Sequence, residues 1–193
     1  MSRSQEIEKA IEKKADISYI LEMIMDEYGT NLKRLIFTYV KDWGIASDLT
    51  QEVFITVYEK LHSFEQRSSV KTWLFTIAIN KSKDYLKSWH FRNLFLNDKV
   101  FFLNKETDKS PETQYFIHDE QNQLLQQILS LPVKYREVLQ LHYYQDLSIQ
   151  EISNALGIPP GTVKTRVYRG HDKLKKILSK DRGDWNGQSK ERV

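Results

Sequence analysis

The sequence predicts an all-α fold made of two small helical domains joined by a linker. Three observations predict it. Apolar residues recur at helical spacing almost throughout, and no segment sustains a period-two alternation. Only 7 Gly and 4 Pro occur among 193 residues, a composition that leaves little room for long loops. The one extended interruption of the pattern lies mid-chain, from about Phe91 to Lys109, with organised helical patterning on both sides.

Taken in order, Glu6 to Lys14 forms a weakly amphipathic piece. A stronger helix runs from about Ile17 to Lys41 and carries Ile20, Leu21, Ile24, Met25, Leu32, Leu35, Ile36 and Tyr39. A third helix is expected after Gly44, with Ser47 or Asp48 as N-cap and Leu49, Val53, Val57 and Leu61 on one stripe. A fourth starts near Ser69 and continues toward Trp89 through Trp73, Leu74, Ile77, Ala78 and Tyr85. Residues 93–110 are the expected linker, made adhesive by Phe95, Phe101 and Phe102. Ser110, Pro111 and Glu112 read as N-cap, first-turn proline and first-turn acid of a helix that carries Leu124, Leu125, Ile128 and Leu129. It stops before Leu131 and Pro132, and another helix covers Val133 to Tyr144.

The sharpest punctuation follows. Ser148 and Glu151 are spaced as a capping box, each satisfying a free backbone donor of the other. Gly157 is placed as a left-handed stop, Ile158 to Gly161 makes a tight connection, and a basic helix runs from Thr162 to Leu178. A short capped helix, a glycine turn and a basic second helix form a helix-turn-helix between Ser148 and Val167. Ile149, Ile152, Leu156, Ile158, Val163 and Val167 have the spacing of its small core, and Ala155 is small where the helices cross. Thr162, Lys164, Thr165, Arg166 and Arg169 are left for the outer face, with Tyr168 and Lys173 able to brace a phosphate backbone. An isolated charge run is more often a solvated helix face. Combined with the caps and the spacing, the stripe from Lys164 to Lys180, opposed only by Asp172, points to DNA.

Composition excludes other classes. The chain has 0 Cys, which removes disulfides, thiolate metal sites and thiol catalysis. Its 5 His are scattered, and His118-Asp119-Glu120 falls at a helix start, where acids are expected without a metal. No run approaches the ~18 apolar residues of a membrane span, and the charged N-terminus has no signal core. A cytoplasmic protein with no cofactor, no metal, no catalytic residues and no small-molecule substrate is expected. The tail, 181–193, is polar and expected to be disordered.

The N-terminal half resolves what kind of DNA-binding protein this is. Asp48-Leu49-Thr50-Gln51-Glu52-Val53-Phe54-Ile55-Thr56-Val57-Tyr58 resembles the polymerase-binding helix of the sigma-70 family. Phe64 through Asn80 resembles the promoter-melting region of its extracytoplasmic-function subfamily, and Asp84 and Lys87 continue the pattern. Leu131-Pro132, Arg136-Glu137-Val138 and Gly161-Thr162-Val163-Lys164-Thr165-Arg166 match that subfamily's second domain. The resemblance spans about residues 20–92 and 121–178. It departs at Gln66, where Gly is usual, and at Val70, where an aromatic residue is common.

The resemblance implies a sigma domain 2 over 17–92 and a sigma domain 4 over 111–180. Asp48, Gln51, Glu52 and Ile55 would meet the clamp helices of the polymerase largest subunit, and domain 4 the flap. Without the family match, the acids of that helix start are explained by its dipole alone. Ser68, Ser69, Lys71, Asn80, Lys83, Asp84 and Lys87 would contact the minus-10 element, with the Phe64–Lys71 loop holding a flipped base. Trp73 falls on the buried spacing, whereas Trp89 suits core or base stacking equally. Thr162, Lys164, Thr165, Arg166, Arg169 and Lys173 would read the minus-35 element. The implied partners are RNA polymerase core, promoter DNA and an anti-sigma factor, often membrane-bound. Two competing readings are an independent helix-turn-helix regulator, which has no need of the Asp48–Tyr58 motif, and a nucleic-acid-processing enzyme, which lacks a catalytic constellation.

Overall fold

Side-chain caps set where five of the described helices begin, and in two of them the cap overrides the sequence expectation. The computed structural model describes the backbone of residues 2–88 and 119–188 and the side chains of residues 2–88 and 125–179. Every regular element among the described residues is helical. Helix α1 (Arg3–Glu12) starts earlier than expected because Ser2 and Gln5 form a capping box ahead of it. Helix α2 (Ile17–Val40) is capped by Asp16 and ends at Lys41, which turns left-handed at φ 58°. Helix α3 (Trp43–Lys60) begins before Gly44, not after it. The carboxylate of Asp42 accepts from the Ile45 amide at 2.9 Å, and Trp43 stacks on Phe37 with centroids 4.0 Å apart. The turn between α2 and α3 is thereby reduced to Lys41 and Asp42, and Ser47 and Asp48 become interior residues.

A 3-10 turn (Leu61–Ser63) and an exposed loop lead to α4 (Val70–Lys87), capped by Ser69 as expected. The second group comprises α5 (Asp119–Ser130), α6 (Val133–Leu139), which continues as a π-turn over Gln140–Tyr144, α7 (Ile149–Leu156) and α8 (Pro160–Gln188). Helix α8 starts at Pro160, since a proline in the first turn lacks only an N–H that would have had no helical partner. Its backbone continues as helix to Gln188, within the tail expected to be disordered, and residues 189–193 lie outside the described residues. No proline interrupts that stretch, and each added residue extends a helix already nucleated. The linker, the helix start at Ser110 to Glu112, and Trp89, Phe91 and Arg92 lie outside the described residues.

The N-terminal helices bury Ile24, Leu32, Leu35 and Ile36 of α2, Val53 and Val57 of α3, and Leu74, Phe75, Ala78 and Ile79 of α4 in one core, closed by Ile7 of α1. The C-terminal helices bury Val138, Leu141, Ile152, Ala155 and Val163. Arg136, only 4% exposed, lies at the end of α5, where its guanidinium donates to the carbonyls of Leu129 and Leu131 at 2.8 and 3.1 Å. It satisfies acceptors that a helix terminus leaves open. The two groups meet where α2 packs on α6 and α4 packs on α7. Tyr39 of α2 donates to Glu137 of α6 at 2.8 Å, and Thr72 of α4 donates to Glu151 of α7 at 3.2 Å.

The turn of the helix-turn-helix rests on one glycine. Gly157 has φ 66°, and a Cβ there meets nothing within 4 Å, so its requirement is conformational rather than steric. Gly161 also has open space but lies in the first turn of α8 without a positive φ. Gly157→Ala is therefore expected to lower stability by about 1 kcal/mol in urea unfolding. Gly161→Ala should leave it unchanged or slightly raised.

Candidate nucleic-acid interface

The second helix of the helix-turn-helix presents its N-terminal half to a cleft against the start of α6. The cleft, about 300 Å³, is lined by Lys134, Tyr135, Gly161, Thr162, Thr165, Arg166 and Arg169. Of the residues expected at the minus-35 element, it brings together Thr162, Thr165, Arg166 and Arg169. Lys164 is exposed and stands apart from the cleft. Lys173 lies 5.7 Å over the Tyr135 ring, with Lys134 at 5.3 Å. Lys134 and Tyr135 were not singled out from the sequence, because they belong to a helix whose visible role is to bury Val138 and Leu139.

The position of α8 is fixed locally. The Ser153 hydroxyl donates to the Ile158 carbonyl at 2.6 Å across the turn. Gly170 lies where α8 crosses α6, and a Cβ there would approach Leu139 at 3.2 Å and Tyr135 at 3.3 Å. Thr165 spends its hydroxyl donor on the Gly161 carbonyl at 2.9 Å. Arg166 is not on the outer face as expected. Its side chain is 27% exposed, and its guanidinium pairs with Glu137 at 3.1 Å. Tyr168, by contrast, is 76% exposed beside Arg169 on the outer surface of α8.

The residues expected at the minus-10 element are distributed along α4 and the loop before it. Ser69 accepts from the Thr72 amide at 3.1 Å, so its hydroxyl is committed to the helix cap. Asn80 is exposed, Asp84 pairs with Lys87 at 3.7 Å, and Lys83 lies 3.7 Å from Glu137. Ser68 and Lys71 are half-buried. A cavity of about 210 Å³ separates Phe64, Gln66, Ser68, Ser69 and Val70 from Glu8, Ile11 and Glu12 of α1. Trp73 packs on Phe64 with centroids 4.7 Å apart, in agreement with a packing role.

Gln66, the residue that departs from the family's usual glycine, has φ 54°. The left-handed backbone explains why glycine is common there: an L side chain at positive φ crowds its own carbonyl. Gln66→Val, with branching at Cβ, should cost about 1–2 kcal/mol of stability in urea unfolding, and Gln66→Gly should cost nothing comparable.

On α3, Leu49, Thr50, Val53 and Val57 face inward and Asp48, Gln51, Glu52 and Ile55 face solvent. Glu52 makes a surface ion pair with Lys81 of α4 at 3.1 Å. Tyr58, 52% exposed, extends the apolar part of this face one turn beyond Ile55, which is 59% exposed. Helical spacing from Ile55 was the signal that could have found it.

Glu151 carries both a capping and a bridging role. Burial works to raise its carboxyl, but the Ser148 amide and hydroxyl, the Thr72 hydroxyl and the charge of Lys71 together hold it below the ordinary carboxylate value. A depressed native value means the contribution is present above the unfolded range and is lost as pH falls through it. Unfolding free energy should therefore drop as pH is lowered from about 5 toward 3. The drop should be shallower in Glu151→Gln, as read by urea denaturation at each pH.

Among the described residues every regular element is helical, and a helix-turn-helix whose second helix lines a cationic cleft is the arrangement of a DNA-binding protein. Residues 24–90 match the family model for sigma-70 region 2, and residues 121–174 match that for sigma-70, region 4. The chain is 34% identical over 163 residues to the ECF RNA polymerase sigma factor SigW of Bacillus subtilis (strain 168), covering 80% of this chain and 87% of that protein. It is 29% identical over 164 residues to the ECF sigma factor SigM of the same organism, covering 85% and 98%. Among solved structures, the sigma factor RpoE in complex with the anti-sigma factor NepR from Bartonella quintana superposes with TM-score 0.64 at 25% identity, covering 80% of this chain and 95% of that one. CnrH in complex with the cytosolic domain of CnrY shares the fold, with TM-score 0.66 at 18% identity over 93% and 99% of the two chains. The chain belongs to the sigma-70 family of RNA polymerase sigma factors, in its extracytoplasmic-function group.

No group of His, Cys, Asp or Glu able to hold a metal occurs among the described residues, and no described helix is long and apolar enough to cross a membrane.

Proposed function

We propose that this sigma factor works in the cytoplasm, joins RNA polymerase core, and reads minus-35 and minus-10 promoter elements through its two helical domains. The observation that carries the reading is the cleft at the start of α8, which gathers Thr162, Thr165, Arg166 and Arg169 beside Lys134. Guanidinium and ammonium groups at the N-terminal half of a recognition helix suit both phosphates and guanine edges. Tyr168 and Lys173 extend that surface to the flanking backbone. Domain 2, 17–92, supplies Ser68, Ser69, Lys71, Asn80, Lys83, Asp84 and Lys87 to the opened minus-10 strand. Residues 93–110 link it to domain 4 over 111–180.

Asp48, Gln51, Glu52 and Ile55 form the polymerase-binding face, to which Tyr58 adds an aromatic ring. Polar residues beside an exposed apolar pair match the composition of interfaces that dock onto a charged partner helix. The catalytic chemistry belongs to the polymerase, and this chain contributes recognition. An anti-sigma factor restrains the protein, a reading supported by the likeness to RpoE held by NepR.

The test is run-off transcription by purified polymerase core on a bacterial promoter library, with and without the protein. Promoter-specific transcripts are expected. They should fall about tenfold with Asp48→Ala and Glu52→Ala combined, equivalent to ~1.4 kcal/mol of lost charge contacts. Tight duplex binding without any transcript would instead indicate a regulator that acts independently of polymerase.

A further inference from the structure

Helix α1 precedes both domain 2 as expected from the sequence and residues 24–90 of the family match, yet it is built firmly into the fold. Ile7 is fully buried, the Ser2–Gln5 box caps the helix, and Arg3 reaches Asp26 of α2 at 3.8 Å. Arg3 also pairs with Glu6 at 3.5 Å. Among the described residues the next two acids of the helix, Glu8 and Glu12, are left without an ion-pair partner. Four residues apart, they share one helical face, a spacing at which like charges disfavour the helix itself. Both line the cavity of about 210 Å³ between α1 and the loop before α4.

The opposite wall is equally fixed. Ser69 is committed to the cap of α4, and Phe64 is held against Trp73. Phe64 and Val70 from this side and Ile11 from α1 give the cavity apolar surface. Gln66, left-handed where the family usually has glycine, adds a residue with an amide side chain to the lining. Arg67, the cation of this loop, is paired with Glu65 at 2.6 Å, and no lysine or arginine lines the cavity.

Two carboxylates without a cation repel phosphate, so the backbone of a nucleic acid is not what this cavity suits. A planar ring with donors on its edge suits it well. Apolar walls take the faces of the ring, a carboxylate accepts from the amino group of cytosine, and a glutamine amide pairs with adenine. Thymine carries a carbonyl oxygen where those bases carry the amino group, and that oxygen meets the carboxylates unfavourably. We propose that the cavity receives one unstacked base of the opened minus-10 strand, and that Glu8 and Glu12 select a base with an exocyclic amino group against thymine. The inference rests on the promoter reading above and deepens it: the Phe64–Lys71 loop is one wall of the pocket, and α1 supplies the acceptors from the other. Contacts to the base edge then help offset the stacking lost on extrusion.

The test uses polymerase core with the full-length protein on a promoter library in which the minus-10 bases are randomised, with transcripts counted by sequencing. At one nontemplate position thymine should be depleted about tenfold relative to adenine or cytosine, the size of one good base contact. Combining Glu8→Gln with Glu12→Gln should bring that ratio near parity, because a glutamine amide also offers thymine a donor. Each single variant should do so in part, and base preferences at the minus-35 element should stay as they were. Glu8 is half-buried and Glu12 exposed, so neither replacement opens the core. The reading is a ratio within one library, so a general change in yield does not enter it. Transcripts with no depletion of thymine, or with the same minus-10 profile in the presence and absence of the two acids, overturn the pocket and leave the promoter reading in place. Absence of transcripts from every template removes both.

Discussion

A carboxylate almost wholly removed from water must be surrounded by donors, because its desolvation costs several kcal/mol unless hydrogen bonds and opposite charge offset it. Glu137 meets that condition with groups drawn from α2, α4 and α8. Much of the arrangement follows from this requirement. Helix α8 is held at the distance from α6 that lets Arg166 reach the acid, and the absence of a side chain at Gly170 permits so close a crossing. Tyr39 and Lys83 then bring domain 2 against the same point. The phenol of Tyr39 is held well above its ordinary value, by burial first and by the adjacent Glu137 charge second, so it remains a donor.

Helix α8 is thus positioned by two kinds of force that act over different ranges. Local backbone chemistry sets the turn: Gly157 supplies the left-handed residue, Ser153 closes on Ile158, and Ser148 with Glu151 caps the helix before it. Longer-range packing sets the orientation of α8 against α6 and so forms the cleft around Thr162, Arg166 and Arg169. Glu151 joins the two ranges, since the carboxylate that accepts from the Ser148 amide in the capping box also accepts from the Thr72 hydroxyl of the other domain.

Domain 2 separates its tasks by helical face. In α3 the inward stripe of Leu49, Val53 and Val57 is completely or nearly buried, and the opposite face carries Asp48, Gln51, Glu52, Ile55 and Tyr58 to solvent. A surface proposed to bind the polymerase is thereby available while α4, on another side of the bundle, is covered by α7.

The all-helical class, the helix-turn-helix with its Ser148 box and Gly157 stop, and the inward stripe of α3 were legible in the sequence. Each depends on spacing or cap chemistry within a few residues, and such information is local. Competition between caps was less legible. Ser47 and Asp48 looked adequate, yet Asp42 starts α3 because Trp43 can stack on Phe37, a contact that periodicity does not report. The family motif marked Gln66 as unusual, but only its φ of 54° explains what glycine does there. Likewise Arg166 read as an outer-face cation until the fold placed Glu137, 29 positions earlier in the chain, beside it. The sequence by itself determined the order of the main helices and the buried stripe of α3, because apolar spacing and cap chemistry are local. The tertiary structure alone decided which charges meet, since ion pairs such as Glu137 with Lys83 arise from helix packing and leave no trace in residue spacing.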